Sequence, residues 1–117
     1  MMRRAVLFGF ALAWITLPAL AHAFLQRAIP AAGEALHTAP AKIELHFSEP
    51  LEASFSAIVV TDASGRNMAA GVTTANGSEL ELPLKALKPG RYRVSWHAVS
   101  ADTHRSEGRF NFQVGPK

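Results

Sequence analysis

Polar and apolar residues alternate along three short segments of this chain, residues 42–47, 91–97 and 109–114. A period of two residues is typical of a β-strand, because successive side chains point to opposite faces of a sheet. The apolar positions of the three segments are Ile43, Leu45, Phe47, Tyr92, Val94, Trp96, Phe110, Phe112 and Val114. Each segment therefore predicts a strand with one face packed in a core and the other facing solvent.

Turn-forming residues separate these and other apolar stretches. They form the clusters 62–65, 76–77 and 88–90, and the second, Asn-Gly, is a typical hairpin turn. About seven short strands with a turn every 8–12 residues predict an antiparallel β-sandwich or barrel. The 117 residues are enough for one domain. We therefore predict a single all-β domain.

The first residues have the composition of a secretory signal. Arg3 and Arg4 precede an apolar run over residues 5–17, and small residues follow it up to Ala23. The apolar run is shorter than the roughly 20 residues that a membrane-spanning helix needs. We predict a signal peptide over residues 1–21 and an exported domain over residues 22–117.

A second cleavage point, between Ala23 and Phe24, also fits the small-residue rule. Cleavage after Ala21 leaves His22 as the first residue, whereas cleavage after Ala23 removes it. In either case the loss of the two arginines of the signal lowers the formal charge from +3 to +1. No basic block remains, so the sequence predicts neither binding to nucleic acid nor stable attachment to a membrane after cleavage.

The sequence contains no cysteine, and this excludes several kinds of chemistry. Thiol catalysis and disulfide bonds are impossible. A cysteine-rich structural zinc site and a blue-copper electron-transfer centre are excluded as well, since both need thiolate ligands. Any metal site in this chain must therefore use nitrogen, oxygen or thioether ligands.

Five histidines lie in the predicted mature domain: His22, His37, His46, His97 and His104. His46 and His97 occupy polar positions of their predicted strands and His37 lies in a loop, so we expect these three to face solvent. His22 differs if the signal is cleaved before it, because its free α-amine and its imidazole Nδ1 can then chelate one ion. Cu(II) favours such nitrogen ligands in a square plane.

Asp102 and His104 are the second candidate pair of ligands. In an extended segment residues i and i+2 point the same way, so the carboxylate and the imidazole would lie on one side of the loop after the Trp96 strand. Another interpretation stays open here, in which Asp102 caps the backbone of a turn beside an exposed His104. An amine, two imidazoles and a carboxylate would supply four ligands of the kinds that Cu(II) prefers.

Three segments resemble the CopC family of periplasmic copper-resistance proteins. They are residues 39–50 (Ala-Pro-Ala-Lys-Ile-Glu-Leu-His-Phe-Ser-Glu-Pro), residues 90–104 (Gly-Arg-Tyr-Arg-Val-Ser-Trp-His-Ala-Val-Ser-Ala-Asp-Thr-His) and residues 108–114 (Gly-Arg-Phe-Asn-Phe-Gln-Val). The resemblance extends over nearly all of the chain from His22 to Val114. It implies a Greek-key β-sandwich or barrel, Ig-like or cupredoxin-like, in the periplasm.

The resemblance also implies a site for one Cu(II) ion per chain. The mature N-terminal histidine of the family corresponds to His22, and its Asp-x-His pair corresponds to Asp102 and His104. The acid of its Phe-Ser-Glu motif corresponds to Glu49, which is expected close to the copper as a weak ligand or as a residue that orients the ligands. These four residues are the predicted metal site.

Some family members carry a methionine-rich loop that binds Cu(I) through thioethers. The corresponding region here, residues 60–73, contains only Met68, so we predict a protein that binds Cu(II) alone. The resemblance implies copper tolerance or delivery to a CopD-like copper transporter of the inner membrane, and the predicted ligands would also suit copper storage. We expect a monomer.

Two other functions are compatible with the sequence. A terminal histidine and a second histidine also form the histidine brace of copper oxygenases, but Asp102 would fill the position that oxygen needs, so we expect no enzymatic activity. An exported β-sandwich used for protein interaction, with incidental histidines, is the other alternative. It predicts no tight copper binding and no dependence on where the signal is cleaved.

Overall fold

The computed structural model describes residues 23–116, so the predicted signal and His22 lie outside the described residues. Within this range the chain forms eight strands and one short 3₁₀ turn, Ala53–Phe55. The strands are β1 (Leu25–Ile29), β2 (Ala35–Leu36), β3 (Lys42–Phe47), β4 (Ala57–Asp62), β5 (Thr74–Asn76), β6 (Glu79–Pro83), β7 (Gly90–Val99) and β8 (Arg105–Val114).

The strands form two four-stranded sheets that pack face to face. One sheet has the order β1-β3-β6-β5 and the other has the order β2-β8-β7-β4. The hairpins β5–β6 and β7–β8 stay within a sheet, whereas the other connections cross from one sheet to the other, as in a Greek key. The predicted all-β sandwich is therefore confirmed.

Two details differ from the sequence prediction. The structure has eight strands where about seven were expected, and β2 pairs with β8 in parallel, in an otherwise antiparallel arrangement. Both differences come from β2, which has two residues and is too short to show an alternating pattern. It reaches the edge of the second sheet because the chain crosses over from β1.

The core lies between the two sheets and is formed by the apolar phase of the strands. Its members include Ile43, Leu45, Val60, Leu80, Leu82, Val94 and Phe112, all of which are almost fully buried. Trp96 lies at one end of this core, where its ring packs edge-on against Phe47 with the ring centroids 5.0 Å apart. It also covers Gly108 so closely that an added Cβ would lie 2.7 Å from the indole ring. Trp96 therefore covers one end of the core, between Phe47 and Gly108, and is itself partly exposed.

The polar phase of the strands faces outward, as predicted. His46 and His97 are partly exposed on opposite sheets, and His37 is exposed. Among residues 23–116, no helix is long and apolar enough to cross a membrane.

Candidate metal centre at one end of the sandwich

The loop that joins β7 to β8 carries two of the predicted ligands. It runs from Ser100 to His104 and is closed by two backbone hydrogen bonds, from Ser100 N–H to the His104 carbonyl (2.9 Å) and from Thr103 N–H to the Ser100 carbonyl (2.8 Å). Thr103 has a φ of 72°, a left-handed conformation that is unusual for a β-branched residue. The loop is thus a tight turn and not the extended segment expected from the sequence.

The side chains of Asp102 and His104 converge in spite of this difference. Asp102 Oδ1 lies 3.2 Å from His104 Nδ1. The left-handed residue between them turns the chain, so the convergence arises from a compact turn and not from the alternation of an extended strand. Both side chains remain accessible, with 45% and 35% of their surface exposed, respectively.

Ser100 is a buried residue that is hydrogen-bonded to both Asp102 and His104. It is 1% exposed, its hydroxyl donates a hydrogen bond to Asp102 Oδ1, and it accepts one from the His104 backbone N–H at 3.3 Å. The bond from Ser100 is the main reason that the pKa of Asp102 is lowered from its ordinary value, and the His104 ring is the next. Asp102 is therefore an anion at neutral pH, with its carboxylate held in place.

This arrangement bears on the alternative in which Asp102 only caps the turn. Ser100 Oγ accepts a hydrogen bond from the His104 backbone N–H at 3.3 Å, and the Asp102 carboxylate also accepts from this N–H. The aspartate carboxylate is engaged mainly by two side chains. Asp102 thus caps the backbone of the turn at His104 as well as contacting the His104 ring.

Glu49 lies across a small cleft from this loop. The cleft has a volume of about 150 Å³ and is lined by Glu49, Pro50, Ser100, Ala101 and Asp102. The segment after β3 is fixed to the loop by a hydrogen bond from Ala101 N–H to the Pro50 carbonyl (3.0 Å) and by a β-bridge between Leu51 and Ser100. A second carboxylate thus lies on the same end of the sandwich as Asp102.

The start of the described chain is attached at this same end. Ala23 is fully buried, and its carbonyl accepts a hydrogen bond from Ser106 Oγ at 2.8 Å. Phe24 N–H donates to Ser48 Oγ at 2.8 Å, and Ser48 N–H donates to the Phe24 carbonyl at 2.9 Å. Ser106 lies two residues after His104 and Ser48 lies one residue before Glu49. Ala23, the residue that follows His22, is therefore fixed between the two segments that carry the other predicted ligands.

The supporting serines were not predicted from the sequence. Ser48, Ser100 and Ser106 hold the chain start, the Asp102 carboxylate and the loop backbone by side-chain hydrogen bonds. Serine is common on strands and turns, and the contacts join segments that are distant in sequence. The position of Ser100 two residues before Asp102 was the one local signal that could have indicated such a role.

The fold and this end of the molecule define a class of protein, a β-sandwich in which one end brings a histidine and a carboxylate into contact, beside a second carboxylate and the start of the described chain. Nitrogen and oxygen donors of this kind suit divalent transition metals. The sequence model of the CopC domain matches residues 25–115. The chain belongs to the CopC family, as the resemblance of its motifs implies.

Individual relatives agree with this assignment. Protein YobA of Escherichia coli K12 is 39% identical over 98 residues, which cover 80% of this chain and 79% of that protein. Copper resistance protein C of Pseudomonas syringae pv. tomato is 40% identical over 105 residues, covering 82% of each chain. The crystal structure of CopC from Methylosinus trichosporium OB3b matches with a TM-score of 0.75 at 30% identity, covering 81% of this chain and 95% of that one.

Proposed function

We propose that the protein is an exported copper-binding protein that holds one Cu(II) ion through His22, Asp102 and His104, with Glu49 beside the ion. The contact of 3.2 Å between Asp102 and His104, next to the point where the chain enters at Ala23, is the observation that carries the proposal. Copper is named because relatives in the family are called copper resistance proteins.

The proposal requires a signal peptide over residues 1–21 and a mature domain that begins at His22. Its amine and imidazole would then belong to one residue bonded directly to Ala23, whose carbonyl is held by Ser106. Chelation by one residue fixes two nitrogens side by side. Asp102 and His104 would supply the other two positions of the square plane that Cu(II) prefers.

Cu(II) is favoured over Cu(I) by the position of the single thioether in the domain. Met68 and Tyr92 line the same cavity, and Tyr92 is the strand partner of Asp62 near the start of β7. Asp102 follows the opposite end of β7. Met68 therefore lies away from the histidine centre. One thioether cannot form a Cu(I) site without further soft ligands.

The centre favours holding copper over oxygen chemistry. A histidine brace keeps a position open for oxygen, whereas Asp102, 3.2 Å from His104, would occupy that position if both side chains bind the ion. We infer a role in copper storage, tolerance or delivery in the periplasm, with a CopD-like membrane transporter as the receiving partner and a monomer as the working form.

A Cu(II) titration of protein exported from its own precursor tests the proposal. The N-terminus is first verified by mass, and binding is followed by Trp96 emission, by EPR and against a competing chelator. We expect one equivalent of tightly held copper in a tetragonal, nitrogen-rich environment, lost in His104→Ala and kept in His97→Ala. Weak, non-stoichiometric binding by protein that does begin at His22 would refute the proposal and favour an interaction module without metal.

A further inference from the structure

A second group of metal-ligating side chains lies on the outer face of the sheet β1-β3-β6-β5. Glu44 and His46 are two residues apart on β3, and both face outward because Ile43, Leu45 and Phe47 fill the core. Glu79 is the direct partner of His46 on β6, and its Oε1 lies 3.7 Å from His46 Nε2. One donor atom from each of the three side chains lies within 4.8 Å of the other two.

The sheet fixes the spacing of these donors. β3 is an inner strand that is paired on one side with β1 and on the other with β6, so the backbones of Glu44, His46 and Glu79 are held by ladder hydrogen bonds. Two ligands of one tetrahedral ion, each about 2.1 Å from it, lie roughly 3.4 Å apart. The three donors lie within 4.8 Å of one another, so each pair would have to approach by at most about 1.4 Å to reach that spacing.

The three side chains are also accessible to a hydrated ion. Between 24% and 34% of each side chain is exposed. They are buried enough to keep few orientations and open enough for water to complete the coordination. One imidazole and two carboxylates form a donor set that suits Cu(II) and Zn(II), which are borderline ions between hard and soft.

The surrounding charges decide how strongly an ion would be held. Glu81 adds a negative charge on β6, and Lys42 on β3 and Arg27 on β1 add positive charges on the same face. Lys42 is bound mainly to Glu81, at 2.5 Å, and approaches Glu44 at 3.9 Å. Its ammonium group therefore competes with an ion for Glu44, although its closer partner is Glu81.

We propose that Glu44, His46 and Glu79 form a second, weaker site for a divalent transition metal, either Cu(II) or Zn(II), on the outer face of this sheet. The site does not depend on His22 or on where the signal is cleaved. It lies outside the core, so an ion can enter and leave without opening the fold.

His97 offers a matched control on the opposite sheet. It is also a partly exposed, outward-facing histidine on an inner strand, and its direct partner on β8 is Glu107. Arg105 binds Glu107 at 3.3 Å and Arg109 lines the same surface, much as Lys42 and Arg27 lie beside the proposed site. It has a carboxylate neighbour but not the second one that completes the proposed set.

Zn(II) titration of the exported protein, followed by the NMR signals of the histidine rings, tests the proposal. We expect the ring signals of His46 to shift in a saturable manner. Glu79→Gln should weaken this Zn(II) binding by about tenfold or more, because the loss of a residue that only hydrogen-bonds a ligand already has an effect of that size. Lys42→Gln should tighten it by removing the competing ammonium group. His97→Gln should leave it unchanged.

Three results would overturn the proposed site at Glu44, His46 and Glu79. If the His46 ring does not shift, or if Glu79→Gln leaves its response unchanged, the site does not exist. If His97→Gln weakened the Zn(II) response of the His46 ring as much as Glu79→Gln does, the response would not depend on the three proposed ligands in particular. This result would also overturn the proposal. Because the His104 ring is observed separately in the same spectra, failure here is distinguishable from failure of the centre at Asp102 and His104.

Discussion

Asp62 and Asp102 close turns at opposite ends of the same sheet, yet their carboxylates are engaged in different ways. Asp62 Oδ1 accepts hydrogen bonds from the backbone N–H groups of Ser64 and Arg66, both at 2.9 Å, and from Ser64 Oγ at 2.8 Å. Its other oxygen accepts from Arg66 Nε at 3.2 Å. The side chain is 16% exposed. Asp62 is thus used by its own turn.

Asp102 resembles Asp62 in having a serine two residues away that bonds its Oδ1. Its other partners are the ring and the backbone N–H of His104, and 45% of the side chain is exposed, beside the cleft that Glu49 lines. A serine hydroxyl orients the carboxylate, and one backbone N–H bonds it, whereas Asp62 accepts from two. The comparison is between a turn aspartate that its own turn encloses and one with nearly half of its side chain exposed.

Replacing each aspartate by alanine in a separate variant should give the largest difference in copper affinity between the two positions. We expect Asp102→Ala to weaken Cu(II) binding by about 100-fold. Loss of a residue that only hydrogen-bonds a ligand can already weaken metal binding by about this much, and Asp102 is proposed to be a ligand itself. Asp62→Ala should leave the affinity unchanged and lower the free energy of unfolding, because its turn loses four hydrogen bonds. Chelator competition and chemical denaturation measure the two effects. A similar copper affinity in both variants would contradict the distinction.

The two serines allow a finer test of the same distinction. Ser100→Ala should weaken Cu(II) binding by about tenfold, because the Asp102 carboxylate loses the hydroxyl that orients it. It should also destabilise the fold by about 1 kcal/mol, since a buried hydrogen-bonding group is removed. Ser64→Ala is the matched control, and copper affinity should not change in it. If Ser100→Ala binds copper as tightly as the unmodified protein, Asp102 is not positioned by this contact.

The smallest expected effect is the acid dependence of stability at the Asp62 turn. The hydrogen bonds of the turn, above all the Arg66 backbone N–H, lower the pKa of Asp62 from 3.8 to about 2. A lowered pKa stabilises the fold above the ordinary value, and this contribution is lost as the pH falls through the folded-state value. The difference in unfolding free energy between the protein and Asp62→Asn should therefore shrink between pH 5 and about pH 2. A difference that stays constant over this range would show that Asp62 titrates normally.

The strands and the fold class were predictable because they depend on local alternation. β3, β7 and β8 lie where apolar residues recur every second position, and Gly77, with a φ of 62°, occupies the predicted hairpin turn. Pairings between distant segments were not predictable. The parallel edge strand β2 is one example, because two residues carry no periodic signal.

The contact between Asp102 and His104 was expected from the sequence, although for a different reason, and their role as metal ligands remains a prediction. Asp102 and His104 do meet, but through a turn with Thr103 in a left-handed conformation, where the sequence suggested an extended segment. The position of Glu49 followed from the family resemblance and not from a pattern in the chain. His46 was assigned only to a solvated face, because its pairing with Glu79 depends on strand register across 33 positions of sequence.

The role of the N-terminal amine is the central claim, and a comparison of two N-termini tests it most directly. Protein that begins at His22 and protein that begins at Ala21 keep the same imidazoles and carboxylates, but in the second the nitrogen of His22 is an amide. EPR of the two Cu(II) complexes, with chelator competition, should show a tight tetragonal site in the first and a weaker, altered site in the second. Identical spectra and affinities would contradict the claim that the amine of His22 is a ligand.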